Sequence, residues 1–408
     1  MVLYDLSKIE NITMNHLYDG SDKSIEDKLK LKNITYKLKE SEKEYNILKY
    51  DKTYLTKDRY GTVGIFRSVV IDKGNIVCFS PPKSLAGALF HEKHKEMDGC
   101  YGEEFVEGTM INVFFDNDLD DWEISTKSTI GGRNVFFRDG EVTYEKTFRY
   151  MFLDAASHCN LEFDDLNKDY CYSFVMQHPE NRIVTQFNEK RIYLIECYKI
   201  DNSALAVELV ERDNIKNCFS NSSILFPRVY DKQTTMNMKV DMYLGVVDYS
   251  VMGIVVKHKD SGDRMKVRNP NYEYVRTLKG NQPKLQYQYI VLRKEGKVNE
   301  YLKYFPESAE RFLNFREQIH IFTQQLYENY RLCYIKKTKP LIQYPDNLRT
   351  HMYLLHQDYL NDLKDKNGYI NRQYVIQYIN NLHPSQLMFS INFSMRKRKI
   401  DKTIVDGV

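Results

Sequence analysis

The chain has 408 residues, of which 42% are hydrophobic and 28% are charged. This composition is typical of a soluble globular protein of two or three domains, and it excludes an intrinsically disordered chain. No apolar run is long enough to predict a membrane span. The formal net charge is only +3, so a nucleic-acid partner is permitted but requires that the basic residues be clustered.

The seven cysteines are dispersed without a CxxC pair, which is typical of reduced thiols in a cytoplasmic compartment. The N-terminal segment MVLYDLSKIE has neither the basic nor the apolar region of a secretory signal, and lipidation motifs are absent from both ends. We therefore expect an intracellular, cytoplasmic protein.

Residues 1–60 mix charged stretches with few turn signals, and we predict helical structure over 24–39 and 41–50. From Gly64 onward, β-branched and aromatic residues recur in short runs separated by turns, which predicts antiparallel strands. The clearest turn, at 72–74, joins two predicted strands within GIFRSVVIDKGNIVCFSPP. Further strands are predicted for TMINVFFD, WEISTK, RNVFFRDGEVT, YSFVMQH, NRIVT, RIYLIECYKI, SILFPRVY, YLGVVDYSVMGIVVKH and RMKVRN.

Helical spacing of apolar residues predicts one helix near 146–156 and a helical region after Pro283. In that region Ala309–Tyr330 carries an apolar stripe, and 349–364 and 372–382 repeat the pattern. We predict an α+β fold with three parts. A helical or mixed N-terminal segment occupies 1–60, an antiparallel-sheet domain occupies 61–283, and a helical C-terminal domain occupies 284–408.

Two patterns that could bind metal are weak. His91 and His94 form HxxH near Cys100, but no second cluster completes a tetrahedral zinc site, so a surface helix is the preferred interpretation. Asp116 and Asp118 begin a loop that resembles half of an EF-hand but lacks its glycine and final glutamate. We predict no metal site, and the basic run at 396–399 is interpreted as a solvated tail.

Basic residues stand beside many of the predicted strands. If these strands pack around one cleft, the alternation of side chains would direct several of the charges into it. A cleft lined by unpaired cations suits a polyphosphate or a nucleic-acid backbone, whereas the alternative is ordinary surface charge. The residues concerned are Arg67, Lys83, Lys127, Arg182, Lys266 and Arg268.

The order and spacing of these segments resemble the phage-type ATP-dependent RNA ligases of the covalent nucleotidyltransferase superfamily. Such ligases carry an Arg-Gly strand, a Pro-Lys segment, the nucleotidyl-lysine motif KxDG, a Phe-Glu strand that continues into Asn-Arg-Ile-Val, an EG(V/Y)V strand and a KxK motif. The corresponding segments here are FRSVV, SPPKS, FVEGTMINVFF, SFVMQHPENRIV, MGIVVK and KVRNPNY. The resemblance implies a ligase-like nucleotidyltransferase domain followed by a helical C-terminal domain.

The resemblance also implies a lysine that attacks the α-phosphate of ATP in a metal-dependent reaction. Phe105 stands at the position of that lysine, and Val175 and Met252 stand at the positions of two glutamates that bind the ribose or the metal. Glu107 retains the acidic position of KxDG. Three apolar replacements on three strands imply a pocket that lacks the standard covalent machinery.

Three functional hypotheses follow. The first is a degenerate RNA ligase that binds RNA or a nucleotide without covalent catalysis and needs no certain cofactor. The second is an active ligase that uses ATP and Mg²⁺, with Lys83 or Lys127 as a relocated nucleophile. The third is a non-catalytic interaction scaffold, with a protein partner bound through the helical C-terminal domain. The composition and the resemblance fit a large DNA virus.

Overall fold

The computed structural model describes residues 2–9, 29–38, 43–135 and 146–393. The chain divides into two units, Met1–Arg276 and Thr277–Val408. Within the described ranges, no helix has both the length and the apolar character that crossing a membrane requires.

In the described part of the first unit, the strands pair with one another in antiparallel fashion and form three sheets. The six-stranded sheet has the order β1-β11-β10-β9-β7-β8, and the two four-stranded sheets have the orders β2-β3-β4-β5 and β12-β6-β13-β14. The strands are β1 (Leu3–Asp5), β2 (Leu31–Lys37), β3 (Glu44–Tyr50), β4 (Val69–Asp72), β5 (Asn75–Phe79), β6 (Cys100–Glu104), β7 (Thr109–Asp116), β8 (Asp121–Ser125), β9 (Tyr170–Gln177), β10 (Arg191–Asp201), β11 (Ala206–Leu209), β12 (Val229–Tyr230), β13 (Gly253–His258) and β14 (Arg264–Arg268).

The first unit also contains helices, some of which pack on the sheets. They are α1 (Gly87–Lys93), α2 (Phe148–His158), α3 (Arg212–Ile215), α4 (Lys232–Tyr243) and α5 (Pro270–Lys279), the last of which continues into the second unit. Phe152 of α2 packs on Phe174 of β9, in a core that also holds Ile111 and Val113. The opposite face of the same sheet contributes Phe114 and Tyr198 to the core formed with β2–β5. The six-stranded sheet is therefore buried on both faces.

The second unit is helical. Phe312, Ile319, Phe322 and Leu326 form the buried stripe of its longest helix. Its helices are α6 (Leu285–Lys294), α7 (Val298–Tyr304), α8 (Ala309–Tyr330), α9 (Asp346–Asp358), α10 (Arg372–Asn381) and α11 (Pro384–Ile391). The predicted α+β class, with antiparallel sheets before a helical C-terminal part, is confirmed.

The helical prediction for the N-terminal segment is wrong where the structure describes it. Leu31–Lys37 and Glu44–Tyr50 are strands β2 and β3, and they extend the sheet that contains β4 and β5. The reason is that the buried residues Tyr45 and Ile47 alternate with Glu44 and Asn46, a spacing of two rather than three or four. The remaining part of 24–39 includes residues outside the described ranges.

Other strand predictions have mixed outcomes. The turn at 72–74 and the strands on either side of it are confirmed, as are the strands in TMINVFFD, WEISTK, YSFVMQH, RIYLIECYKI and RMKVRN. NRIVT is a loop, SILFPRVY has only the two-residue strand β12, and the long segment that ends in GIVVKH is extended only from Gly253. Most of RNVFFRDGEVT and the basic run at 396–399 lie outside the described residues.

Candidate functional site

Phe105 lies where the chain leaves β6 and crosses toward β7. Its backbone N–H donates to the carbonyl oxygen of Gly253, the first residue of β13, with an N···O distance of 3.1 Å. Close packing at this crossing requires glycine. Gly108 has φ +149° and Gly253 has φ +141°, and a Cβ at these positions would overlap the carbonyl oxygens of Met176 and Val267, respectively. The local geometry thus brings Phe105 next to the start of β13.

A cavity of about 490 Å³ opens beside Phe105. Its wall combines aromatic and sulfur-containing side chains with amide, hydroxyl and charged groups, a lining that is typical of a small-molecule site. Among the lining residues are Phe105, Gln177, Phe187, Tyr193, Tyr230 and Met252. Two of the three apolar replacements, Phe105 and Met252, therefore line the same cavity.

Val175, the third replacement, lies on β9 next to this cavity. It packs in a small cluster with Val106 and Tyr193, and Tyr193 also lines the cavity. A Cβ at Gly108 would come within 2.6 Å of the Val175 side chain. The three positions are thus joined through direct neighbours, although Val175 itself is buried beneath the crossing.

Glu107 and Arg182 hold the loop between β9 and β10. The Glu107 carboxylate accepts hydrogen bonds from the backbone N–H groups of Val184 (2.6 Å) and Thr185 (3.0 Å). Arg182 donates from Nε to the carbonyl oxygen of Val184 at 3.0 Å. These hydrogen bonds join both side chains to the backbone of this loop, and nucleotide binding by Glu107 and Arg182 stays a prediction.

The other predicted basic residues are neighbours of one another, and two of them lie against the Phe105 ring. The Nζ atom of Lys266 lies 4.2 Å from the centre of the Phe105 ring, and the guanidinium carbon of Arg268 lies 5.9 Å from it. Arg67 and Lys83 are close enough to Lys266 to lower its pKa by charge repulsion, and Arg67 has the same effect on Lys127. We call this group the basic cluster. It consists of Arg67, Lys83, Lys127, Arg264, Lys266 and Arg268.

The pKa values of the cluster reflect burial and mutual repulsion. Burial lowers the pKa of Lys266 to about 6, assisted by repulsion from Arg67, Arg264, Arg268 and Lys83. Burial also lowers the pKa of Arg67 to about 10, with repulsion from Arg264 as the next cause. The pKa values of Lys83 and Lys127 are lowered for the same reasons, burial first. The cluster therefore holds positive charge at an electrostatic cost.

Four members of the basic cluster have no carboxylate partner within the described part of the chain. Lys83 donates to the carbonyl oxygen of Ser84 at 2.7 Å, and its amine lies 5.2 Å from the Tyr60 ring centre. Lys127 lies at the same distance from the ring centre of Tyr50. The four are Arg67, Lys83, Lys127 and Lys266. Arg268 differs, since it forms an ion pair with Glu273 at 2.8 Å.

A second charged group, beside the cluster, is neutralised internally. Lys257 of β13 forms ion pairs with Glu103 of β6 (2.5 Å) and with Glu196 of β10 (2.7 Å). Arg212 pairs with Glu103 at 2.9 Å, and Arg264 lies 4.0 Å from Glu196. We call Glu103, Glu196, Arg212 and Lys257 the buried ion network; it links the six-stranded sheet to the sheet that contains β6 and β13.

Arg264 was not predicted as a site residue. It stands two residues before Lys266, and Arg268 stands two residues after it, so the alternation of a strand places all three on one face of β14. That pattern was visible in the sequence. Arg264 donates to the carbonyl oxygen of Pro82 from Nε at 3.1 Å, which ties β14 to the segment after β5.

The carboxylates around Phe105 are engaged by other groups of the protein rather than open to a divalent metal ion: in the cavity wall, Glu104 accepts from the backbone N–H of Arg228 (3.3 Å) and Glu189 pairs with Arg191 (2.7 Å). Two of the expected carboxylate positions are Val175 and Met252, and Glu107 already accepts two backbone hydrogen bonds. Among the described residues, the acidic group with metal-like spacing consists of Asp72, Asp116 and Asp118. The amine of Lys43 occupies it, donating to Asp72 (2.6 Å), Asp116 (3.2 Å) and Asp118. The loop that begins at Asp116 connects the antiparallel strands β7 and β8, is exposed over 117–121, and is held by Lys43 through Asp116 and Asp118.

Comparison with known proteins reveals one local sequence similarity. No family model matches the chain. An RNA ligase of Rhodothermus phage RM378 is 30% identical over 102 residues, which are 24% of this chain and 23% of that protein. The chain therefore matches less than a quarter of the length of this relative.

Several solved RNA ligases are similar in structure at low identity. One form of an archaeal ATP-dependent RNA ligase has 12% identity and a TM-score of 0.39, covering 77% of this chain and 83% of that chain. Another form of it has 13% identity and a TM-score of 0.38, with coverages of 98% and 84%. A Naegleria gruberi RNA ligase with ATP and Mn has 10% identity and a TM-score of 0.32, with coverages of 64% and 82%.

Proposed function

We propose that this chain is an RNA-ligase-like protein that binds the phosphate backbone of RNA, or the phosphates of a nucleotide, without covalent nucleotidyl transfer. The observation that carries the proposal is the convergence of four basic side chains that have no carboxylate partner among the described residues, one of which, Lys266, lies against the Phe105 ring. Phe105 itself has no nucleophilic atom. The local similarity to a phage RNA ligase supports RNA as the substrate class.

The charge distribution supports a binding role for the basic cluster. The first unit contains 38 Lys and Arg against 44 Asp and Glu, a formal charge of −6. Positive charge near Phe105 is therefore a local concentration within an acidic unit. Cations of the buried ion network have carboxylate partners, whereas the structure shows none for Arg67, Lys83, Lys127 and Lys266 among the residues it describes. A polyanion would neutralise the latter group.

The cavity beside Phe105 supports binding of a nucleotide unit. Its aromatic side chains, which include Tyr193 and Phe187, offer faces on which a base can stack. Its amide and hydroxyl groups, among them Gln177 and Thr185, can bind the polar edge of a base. Phe105 borders both this cavity and Lys266, so one nucleotide could contact the base site and the basic cluster together.

An active ligase with Lys83 or Lys127 as the nucleophile is the alternative, and it would use ATP and Mg²⁺. The contacts of these two lysines disfavour it. Lys83 lies over Tyr60 and Lys127 over Tyr50, while the amine that contacts Phe105 belongs to Lys266. The missing carboxylates at Val175 and Met252 also disfavour a catalytic metal.

Titration of a labelled single-stranded RNA, followed by fluorescence anisotropy at several salt concentrations, tests the proposal. Each phosphate contact to a single strand contributes about 0.7 to the slope of log K against log salt. Lys266→Ala with Arg268→Ala should therefore weaken binding and flatten the slope by about 1.4, with little dependence on RNA sequence. Lys95→Ala with Lys199→Ala is the matched control, since it removes two exposed lysines of the same unit.

The control pair should leave both affinity and salt slope near the wild-type values. If the Lys266 and Arg268 substitutions have no larger effect than the control, the basic cluster does not contact RNA. The protein would then be better described as an interaction scaffold.

A further inference from the structure

We propose that the site at Phe105 binds phosphate without a divalent metal ion and takes up a proton at Lys266 when it does so. This inference rests on the proposed function and concerns the same site. At this site, the proton on Lys266 supplies positive charge that balances the bound phosphate, which is a role that a metal ion can have elsewhere. The ligand class is a phosphodiester chain.

The first step is that the carboxylates around Phe105 already have partners within the protein: in the cavity wall, Glu104 accepts from the backbone N–H of Arg228 (3.3 Å) and Glu189 pairs with Arg191 (2.7 Å). Val175 and Met252 offer no oxygen atom, and the Glu107 carboxylate is occupied by the backbone of Val184 and Thr185. A bound phosphate would therefore have to be neutralised by cations of the protein alone. Lys266 and Arg268 of the basic cluster lie against the Phe105 ring and can supply this charge, and Arg191 and Arg228 line the cavity beside the ring.

The surroundings of Lys266 are the second step. On its own strand it is flanked by Arg264 and Arg268, and Arg67 and Lys83 face it from the segments next to β4 and β5. From the end of β6, the ring of Phe105 covers its amine at 4.2 Å. Two carboxylates are near these neighbours: Glu273 pairs with Arg268, and Glu196 lies 4.0 Å from Arg264. Neither carboxylate is paired with Lys266 itself.

This arrangement leaves Lys266 uncharged near neutral pH. Burial, followed by repulsion from the four neighbouring cations, brings its pKa to about 6. A neutral amine attracts phosphate much less than an ammonium group does. A phosphate that approaches the basic cluster reverses the local potential, and this change raises the pKa of Lys266. Binding and protonation of Lys266 are therefore coupled.

The direction of the pH dependence follows from this coupling. Lys266 is protonated in both the free and bound forms below about pH 6, so no proton is exchanged there and affinity is highest. Above that pH, the free form must gain a proton in order to bind, and affinity falls by up to about tenfold per pH unit. The fall ends at the raised pKa of the bound form.

Isothermal titration calorimetry of the full-length protein tests this coupling directly. The probe is a short oligoadenylate with hydroxyl groups at both ends, because its phosphodiesters and bases do not titrate near neutral pH. EDTA is present throughout. Titrations in two buffers with different ionisation enthalpies, at about pH 7.5, should show net uptake of up to about one proton per RNA bound. Affinity should fall progressively between about pH 6.5 and 8.5.

Two variants isolate Lys266. Lys266→Arg keeps a permanent charge at this position, so its affinity should be nearly independent of pH and its proton uptake near zero. Lys266→Met should bind more weakly, also without proton uptake. Lys199→Met, at an exposed position of β10, is the control and should behave like wild type.

The outcomes separate this inference from the proposed function. RNA binding with no proton uptake and a flat pH profile in the wild type would overturn the role of Lys266 while leaving RNA binding intact. A requirement for Mg²⁺ that EDTA reveals would overturn the metal-free site. No binding of RNA under any condition would instead refute the proposed function.

Discussion

Lys266 should lower the stability of the folded protein, and its replacement by methionine should raise it. Lysine has a pKa of about 10.4 in an unfolded chain, but burial and repulsion bring the pKa of Lys266 to about 6 in the fold. Folding at neutral pH thus requires this side chain to lose its proton. Methionine has similar length, carries no charge and can pack on Phe105, so Lys266→Met removes the penalty.

The size of the effect follows from proton linkage. Each pKa unit corresponds to about 1.36 kcal/mol, so deprotonation at pH 7 costs at most about 4 to 5 kcal/mol. Lys266 retains partial exposure, and solvent screening reduces this figure. We expect a gain of about 2 to 4 kcal/mol in the free energy of unfolding at pH 7. Deprotonation of Lys266 on folding costs less as the pH approaches the pKa of lysine in the unfolded chain. The stability difference between Lys266→Met and wild type should therefore shrink by up to about 1.4 kcal/mol per pH unit toward pH 10.

Urea denaturation of wild type and Lys266→Met at about pH 7 and pH 9 measures this difference. Trp122 is the single tryptophan of the chain and lies on β8, so its fluorescence follows unfolding of the first unit. Lys199→Met is the control for loss of an exposed charge and should change stability little. A variant that is no more stable than wild type at pH 7, or whose gain does not shrink at pH 9, would show that the amine is charged in the folded protein.

Two further predictions concern catalysis and the buried ion network. Incubation with labelled ATP or GTP and Mg²⁺, followed by denaturing electrophoresis, should give no labelled protein, because Phe105 cannot form a phosphoramidate. A labelled, acid-labile band that is lost in Lys83→Ala or Lys127→Ala would instead identify that lysine as a relocated nucleophile. Burial acts to raise the pKa of Glu196, but Lys257 and Arg264 outweigh it, and the pKa is lowered overall. Glu196→Gln should therefore destabilise the first unit by about 3 to 5 kcal/mol at neutral pH. The difference in free energy of unfolding between variant and wild type should become smaller at acidic pH, where Glu196 is protonated, and urea titrations at several pH values measure it.

The sequence predicted those elements in which one face carries a regular apolar pattern. Ala309–Tyr330 is helical over its whole predicted length, and the strands on either side of 72–74 lie where β-branched residues predicted them. Residues 44–50 were misassigned because their lysine and glutamate residues suggested an exposed helix, whereas the alternation of Tyr45 and Ile47 indicated a strand. Periodicity was the better signal there than charge.

The candidate site depended more on resemblance and on tertiary contacts. The resemblance indicated Phe105 and Met252, which line one cavity, and Lys266, which contacts Phe105. It could not show that Glu107 would bind the backbone of the loop between β9 and β10, because that contact joins residues 77 positions apart. The pairing of Lys43 with Asp116 is equally long-range, at 73 positions, and no local pattern indicates it.

Gly108 and Gly253 are required by the fold around the site, whereas the chemistry of the site depends on neighbouring residues. A side chain at either position would force apart two backbone segments at the crossing, whether or not the neighbouring cleft transfers a nucleotide. These glycines are therefore requirements of the fold. The residues three positions before Gly108 and one position before Gly253 are under no such constraint, and they are Phe105 and Met252. In proteins built on this crossing, a matched glycine indicates where the strands meet, and only its neighbours indicate what the site can do.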